Sequence, residues 1–262
     1  MKSFAVIGCG KMGQALVSRI APNIDCPILC CDVNPEAREA MKNLVGDRVE
    51  ILESSERIVN ECDVVLVAVK PAQAPDVFVK LAFGGKKIIL SIVAGIRHDT
   101  ICGLAEGCEI VRIMPNTPAM VGAGSMVILD SDLSQETREL VENLLSVAGS
   151  CHFINDEHLM DAVTGLSGSS PALFAMLIEA LADAAVGEGL PRKMALDLAR
   201  ETMLGTAKLL EHQHPAILKE NVMSPNGTTA AGVLAAEKAG IRNAAAEFVC
   251  AATRKSRSMS RN

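Results

Sequence analysis

Gly8, Gly10 and Gly13 stand in the spacing G-x-G-x-x-G, directly after the apolar run Phe4-Ala5-Val6-Ile7 and directly before Lys11-Met12. A turn of this kind holds an anion. Gly8 permits the tight turn, Gly10 lets a pyrophosphate approach the backbone, and Gly13 lets a helix beginning near Lys11 press against the strand. The unpaired N–H groups of that helix start, with its dipole, supply the attraction. The spacing alone is weak, since 20 glycines in 262 residues produce it by chance. Its surroundings strengthen it. Met12, Ala15, Leu16 and Arg19 follow helical spacing, and a second apolar stretch, Pro27 to Cys31, ends at Asp32. A carboxylate about 20 residues beyond the turn accepts hydrogen bonds from an adenosine ribose and repels a 2′-phosphate. This points to a dinucleotide site and toward NADH, with Arg38 close enough to receive a phosphate instead. A solvated strand-end Asp32 is the plain alternative.

A second constellation lies near the C-terminus, in Ser224-Pro225-Asn226-Gly227-Thr228-Thr229. Two turn signals lead into an Ala-rich helix that runs to Ala239, with Gly240 at the position after its end. Thr228 or Thr229 is predicted as the N-cap. Two threonines exceed what one cap requires, which leaves a hydroxyl and backbone N–H groups for a small carboxylate.

Other chemistries find less support. The nine cysteines are odd in number and contain no C-x-x-C, so they read as small buried hydrophobes, Cys30 and Cys31 on opposite faces of one strand. The five histidines, at 98, 152, 158, 212 and 214, show no ligand spacing, and no metal is expected. A chain without Tyr cannot use a Tyr-Lys acid. The net charge of -6, with no Trp or Tyr, argues against nucleic acid as a partner. No apolar run approaches the ~18 residues of a membrane span, and the run before Gly8 is too short for a signal peptide, so the chain is expected in the cytoplasm with no membrane partner.

The elements that must carry these residues are legible as apolar runs. Asp63 to Val69 is the most apolar strand and shows no alternation, as a central parallel strand covered on both faces requires. Ligands lie beyond the carboxyl ends of such strands, so Ala68, Val69, Lys70 and Pro71 should border the cofactor. Lys86 to Ala94 repeats the pattern up to Gly95, and Glu109 to Met114 leads into Pro115-Asn116-Thr117-Pro118, a rigid loop read as facing the nicotinamide. Pro35 opens a helix to Leu44; Ser125 to Leu129 and Ser150 to Ile154 are two more strands around a helix from Gln135 to about Ala148. From Asp156 onward no strand is evident, which predicts a dinucleotide-binding domain over 1–155 and a helical one over 156–262. Ser170-Pro171 reads as N-cap and first helical residue. The helix that follows, Ala172 to Val186, is apolar nearly all round and should be covered by a second subunit.

Taken together, the glycine turn, Ala68-Val69-Lys70-Pro71, Met114-Pro115-Asn116-Thr117-Pro118-Ala119, Gly168-Ser169-Ser170-Pro171-Ala172 and Ser224 to Thr229 followed by Gly240-Ile241-Arg242 resemble the motifs of the pyrroline-5-carboxylate reductase family, in order over the whole chain. The family usually has a second glycine where Asn226 stands. The resemblance implies an α/β Rossmann-type N-terminal domain with a mostly parallel sheet and an all-α C-terminal dimerisation domain. It implies reduction of 1-pyrroline-5-carboxylate to L-proline by NADPH or NADH, in a homodimer that can build larger assemblies. Carried onto this chain, Ile7, Gly8, Cys9, Gly10, Lys11, Met12, Ser55, Ala68 to Pro71 and Ile92, Val93 and Ala94 line the cofactor, beside Asp32 and Asn116. Thr229 is the catalytic residue, hydrogen-bonded to the ring nitrogen. Ser169, Asn226, Gly227 and Thr228 complete the substrate site, the backbone from Gly227 to Thr229 holding its carboxylate. Two readings compete. A 3-hydroxyacid dehydrogenase would share the first domain but needs a lysine that Pro171 to Val186 lacks; a non-catalytic dinucleotide-binding module would keep the glycines without turnover.

Overall fold

The computed structural model describes residues 3–259. Its strands are β1 (Phe4–Ile7), β2 (Ile28–Cys31), β3 (Val49–Leu52), β4 (Val64–Val67), β5 (Ile88–Ser91), β6 (Glu109–Met114), β7 (Gly124–Leu129) and β8 (Gly149–Ile154). They form one sheet in the order β3-β2-β1-β4-β5-β6-β7-β8. All neighbours pair in parallel except β6 with β7. The helices between strands are α1 (Lys11–Ile20), α2 (Pro35–Val45), α3 (Glu56–Glu61), α4 (Ala74–Ala82), α5 (His98–Leu104) and α6 (Gln135–Leu145). After β8 come α7 (Leu159–Val163), α8 (Ser170–Gly187), α9 (Arg192–Leu209), α10 (Pro215–Val222), α11 (Thr228–Lys238) and α12 (Ile241–Met259). Packing divides the described residues into two units, 3–169 with 251–259, and 170–250. The last strand, by contrast, already ends at Ile154.

The strands lack polar alternation because helices cover both faces of the sheet. Phe4, Val6, Cys30, Leu66 and Leu90 pack into one core layer, and Ala5, Ile7, Cys31, Val67 and Ile89 into the other. Cys30 and Cys31 thus take opposite faces, as period two demands. Only Cys9, Cys30, Cys31 and Cys62 are fully buried, however, and Cys250 is exposed, which corrects the reading of all nine as interior residues. Burial pushes the thiols of Cys31, Cys62 and Cys102 up, and that of Cys151 up to about 11, so these four stay protonated at neutral pH.

Local signals set several boundaries. Asn34 caps α2 by accepting the Glu36 amide at 2.9 Å, with Pro35 in the first turn. Gly240, at φ +82°, closes α11 after Ala239. The Ser170-Pro171 reading fails, because the chain is already helical there. A π-helical turn at Thr164–Gly168 joins α7 to α8, and Ser169 is right-handed rather than extended. The continuous helix from Leu159 to Gly187 is, by length and composition alone, long and apolar enough to cross a membrane, its most apolar stretch of 18 residues having a mean hydropathy of 1.4. A search for an unbroken apolar run passes over it, because Glu179 and Asp183 interrupt its sequence.

The second unit closes little core of its own. Among its described apolar residues only Ala182 and Ala195 are buried, while Phe174, Met176, Leu181, Leu198, Leu204 and Leu234 are about half exposed or more. A cavity of 660 Å³ between α8 and α9 is lined by such side chains, Phe174, Leu177, Leu181, Leu198 and Met203 among them.

Candidate functional site

The strand register aligns the chain exits. Ile7 pairs with Cys31 and with Val67, and Val67 with Ser91. The next residues, Asp32, Gly8, Ala68 and Ile92, therefore leave the sheet side by side in a row that spans about 14 Å at the ~4.8 Å strand spacing. The chain reverses direction across the sheet between β1 and β4, where open parallel sheets hold ligands.

Each glycine of the turn has its own reason. Gly8 sits at φ +110° with its amide donating to the Cys31 carbonyl at 2.8 Å, and a Cβ there would lie 2.5 Å from the Ala68 carbonyl. A Cβ on Gly13 would meet the Gly8 carbonyl oxygen at 2.2 Å, so α1 rests directly on the turn. Gly10 is different: nothing lies within 4 Å of its Cβ position. It is the N-cap of α1, extended and without a side-chain cap, and it leaves the first amides of the helix facing open space. That gap is the kind of cradle a pyrophosphate fills.

The cleft in front of the turn measures 790 Å³ and takes in Ile7, Gly8, Gly10, Asp32, Ser55, Ala68, Val69 and Lys70 of the expected cofactor residues. Lys11 and Met12 begin α1 at its side, and Pro71 opens the turn that follows Lys70. Cys9 and Val93 have buried side chains, so they can offer backbone only. Ile92 and Ala94 are half-buried beyond β5. The sequence reading missed the far wall, where Val33, Val77, Lys80 and Phe83 line the cleft. Val33 and Phe83 are about four-fifths exposed, an unusual state for apolar residues that sequence does not reveal.

Asp32 is more committed than its position suggests. Its Oδ2 accepts the Cys9 amide at 2.7 Å and its Oδ1 the Asn34 amide at 2.8 Å, while Arg38 donates to its carbonyl at 2.7 Å. The carboxylate thus pins the glycine turn to the end of β2. Gln14 adds a second tie, Nε2 to the Cys9 carbonyl at 2.7 Å.

Asn116, after β6, is bonded at both ends of its carboxamide. Its Oδ1 accepts the Ser125 amide at 2.9 Å, and its Nδ2 donates to the carbonyl and to the Oγ of Ser167, each at 3.3 Å. Ser169, directly after the π-helical turn, donates its hydroxyl to the Thr164 carbonyl at 2.9 Å. A buried ion pair lies nearby in sequence terms but escaped prediction. Arg112 on β6 donates to Glu157 Oε1 at 2.5 Å, Arg97 lies 3.3 Å from Oε2, and the His98 amide also donates to Oε1. The same carboxylate therefore pairs with an Arg of β6 and caps α5.

In the second unit, Asn226 takes φ +58°, which Asn tolerates better than most residues. A Cβ on Gly227 would lie 2.2 Å from Ser224 Oγ, so a side chain there requires the serine hydroxyl to turn away. Neither threonine is the N-cap. Gly227 is, without a side-chain hydrogen bond, and Thr228 and Thr229 form the first turn of α11. Their hydroxyls make no hydrogen bond among the described residues, and the first intrahelical amide to find its carbonyl is that of Ala231, bonded to Gly227 at 3.2 Å. Both hydroxyls and the preceding amides stay available to an anion.

A parallel sheet ordered about a β1–β4 switch point, with an uncapped glycine turn and a carboxylate at the next strand end, defines a dinucleotide-binding protein of the Rossmann class, here extended by a helical unit. The family model for pyrroline-5-carboxylate reductase dimerisation matches residues 157–259. One for NADP oxidoreductase, coenzyme F420-dependent, matches residues 3–95. The pyrroline-5-carboxylate reductase of Pisum sativum is 38% identical over 262 residues, covering 97% of this chain and 94% of its own. That of Methanosarcina acetivorans is 40% identical over 262 residues, with 97% and 96% covered. The crystal structure of Plasmodium falciparum pyrroline carboxylate reductase with NADP bound superposes with a TM-score of 0.86 at 28% identity, over 98% of both chains. This chain belongs to the pyrroline-5-carboxylate reductase family.

Proposed function

We propose that the protein reduces 1-pyrroline-5-carboxylate to L-proline with NADPH or NADH, as a soluble cytoplasmic homodimer. The uncapped start of α11 carries this reading: two adjacent hydroxyls and unpaired amides, with no charged acid or base among them, suit a small carboxylate next to a ring nitrogen. The exposed apolar side chains of α8 and α9 supply the surface that a second copy buries.

The division of labour follows from the residues. The amides and dipole at the start of α1, reached past Gly10, hold the pyrophosphate. Asp32 orients the adenosine ribose while it fixes the glycine turn, and Val33, Val77 and Phe83 offer apolar surface to the adenine. Bound NAD(P)H supplies the hydride that reduces the C=N carbon. Such a carbon accepts hydride more readily when its nitrogen is protonated, so the protein must hold an iminium rather than generate a strong acid. Thr229 Oγ accepts the hydrogen bond of that nitrogen, and the backbone from Gly227 to Thr229, with Thr228, receives the carboxylate. Orientation and charge stabilisation are sufficient machinery.

The direct test follows NAD(P)H oxidation by absorbance with pyrroline-5-carboxylate and, separately, with a 3-oxo acid. Turnover with the imine supports the proposal; turnover with the oxo acid alone, or tight cofactor binding with no oxidation, overturns it.

Thr229→Ala is expected to lower kcat/KM about tenfold, the worth of one hydrogen bond to a charged group. Its thermal stability should hold, since alanine favours a helical first turn and the residue is only half-buried. Unchanged kcat/KM would remove Thr229 from the site. Asp32→Ser should raise the NADPH to NADH ratio of kcat/KM by about tenfold, about 1.4 kcal/mol of like-charge repulsion relieved at the edge of an open cleft. Steady-state kinetics with both cofactors measures it, and an unaltered ratio means that the carboxylate does not meet the ribose.

A further inference from the structure

The loop Pro115-Asn116-Thr117-Pro118 leaves the carboxyl end of β6, and its position in the sheet has a chemical meaning. If the adenosine lies by Asp32 at the end of β2 and the pyrophosphate at the β1 turn, the reactive ring extends across β4 toward β5 and β6. The backbone of this loop is stiffened by two prolines, with Asn116 extended between them at φ -131° and ψ 165°. Its carboxamide, however, is spent within the protein. Oδ1 takes the Ser125 amide of β7, and Nδ2 reaches the Ser167 carbonyl and hydroxyl in the π-helical turn.

The Ser167 carbonyl cannot be bonded from the residue four positions on. In an α-helix it would receive the amide of residue 171, but residue 171 is proline and has none. Asn116 Nδ2 donates to that carbonyl at 3.3 Å, from outside the helix. Ser169, directly after the turn, donates to the Thr164 carbonyl, and Thr164 Oγ1 donates to the Met160 carbonyl at 2.8 Å, so side chains hold both ends of the widened turn. Insertions of this kind in a helix are frequent at functional sites. The result is a cross-link between residues 51 apart in sequence, fastening the loop after β6 to the turn that carries the Gly168-Ser169 motif.

We propose that Asn116 is a positioning residue for hydride transfer, acting through the Ser167 carbonyl to fix the loop beside the reactive ring rather than by touching the cofactor. This rests on the function proposed above. Placing a reactant inaccurately slows the chemical step without weakening binding at remote parts of the ligand.

Three variants test it. Asn116→Ala loses both bonds; Asn116→Asp keeps an acceptor for the Ser125 amide but cannot donate to Ser167; Ser167→Ala removes only the hydroxyl partner. Wild-type turnover of pyrroline-5-carboxylate is measured first, and its absence sinks the functional reading, not the cross-link. The two ends of the carboxamide are read independently of turnover by hydrogen exchange: the Ser125 amide reports the Oδ1 bond, which Asn116→Ala should deprotect and Asn116→Asp should not, and the Asn116 side-chain amide protons report the bonds to Ser167, which Ser167→Ala should weaken. In the kinetics, both Asn116 variants should lose about tenfold or more in kcat, with Kd for NAD(P)H held within about twofold and a larger primary deuterium isotope effect from cofactor labelled at C4. Ser167→Ala should lose less than either. The proposal is overturned if Ser125 exchange is the same in all variants, if kcat is retained, if Kd rises in proportion to the loss in kcat, which makes Asn116 a cofactor ligand, or if kcat falls with no rise in the isotope effect, which makes the cross-link merely structural.

Discussion

Gly10→Ala is expected to leave the fold intact while weakening NAD(P)H binding by about five- to hundred-fold, the effect of forcing one methyl group into a close contact worth about 1–3 kcal/mol. No protein atom lies within 4 Å of the added Cβ, and the φ of -70° at Gly10 suits alanine. Two small stability effects oppose each other: reduced freedom of the unfolded chain favours alanine by about 0.4–1 kcal/mol, and the N-cap position disfavours it by a similar amount. Gly13→Ala, one helical turn away, should behave in the opposite manner. Its Cβ would fall 2.2 Å from the Gly8 carbonyl oxygen, a rigid backbone atom, so the cost is about 3 kcal/mol or more and appears without any ligand. Thermal melts of the free protein, paired with fluorescence titration of NAD(P)H, separate the two. If Gly10→Ala melts early, or binds cofactor as the wild type does, the space at Gly10 is not a pyrophosphate site.

Glu157→Ala should destabilise the first unit by about 3–5 kcal/mol, the range for breaking a buried ion pair from one side. The Arg112 side chain is 5% exposed and that of Glu157 12%. Arg112 Nε already lacks a partner, and Glu157 is the carboxylate paired with Arg112 among the described residues, so removing it strands a charge. The same substitution uncaps α5, because the His98 amide loses its acceptor, and releases Arg97. Glu157→Gln, which keeps the shape and one acceptor, should cost about half as much. Surface pairs provide the contrast: Lys193 and Asp197, i,i+4 on α9 with the lysine 93% exposed, should contribute about 0–1 kcal/mol. Urea unfolding of the three variants gives the comparison. A loss below about 1 kcal/mol for Glu157→Ala would mean that water enters and solvates Arg112 at little cost.

The pattern of what was legible follows the range of the forces involved. The central strands stood out because burial on both faces demands a run such as Val64-Val65-Leu66-Val67, and no solvent-facing element tolerates one. The turns stood out because glycine and proline act within three or four residues. β3, by contrast, is only Val-Glu-Ile-Leu, half-buried at the sheet edge, and α3 and α5, six and seven residues long, are too short to carry much periodic signal. The caps misled twice for one reason. Ser170-Pro171 and Thr228-Thr229 are well-suited to capping, but a cap is defined by the backbone before it, and the π turn at Thr164–Gly168 and the extended Gly227 decided both.

By itself, then, the sequence determined the sheet's central strands, the glycine turn at Gly8 to Gly13, the absence of strands after Ile154 among the described residues, and the family. Local steric rules and apolar patterning act between near neighbours and leave a readable trace there. The tertiary structure alone decided that Asp32 holds the Cys9 amide, that Arg112 finds Glu157, and that Asn116 reaches the Ser167 carbonyl. A polar side chain must be satisfied once buried, but which of many distant partners satisfies it depends on where the packed backbone brings them, and residue spacing does not encode that choice.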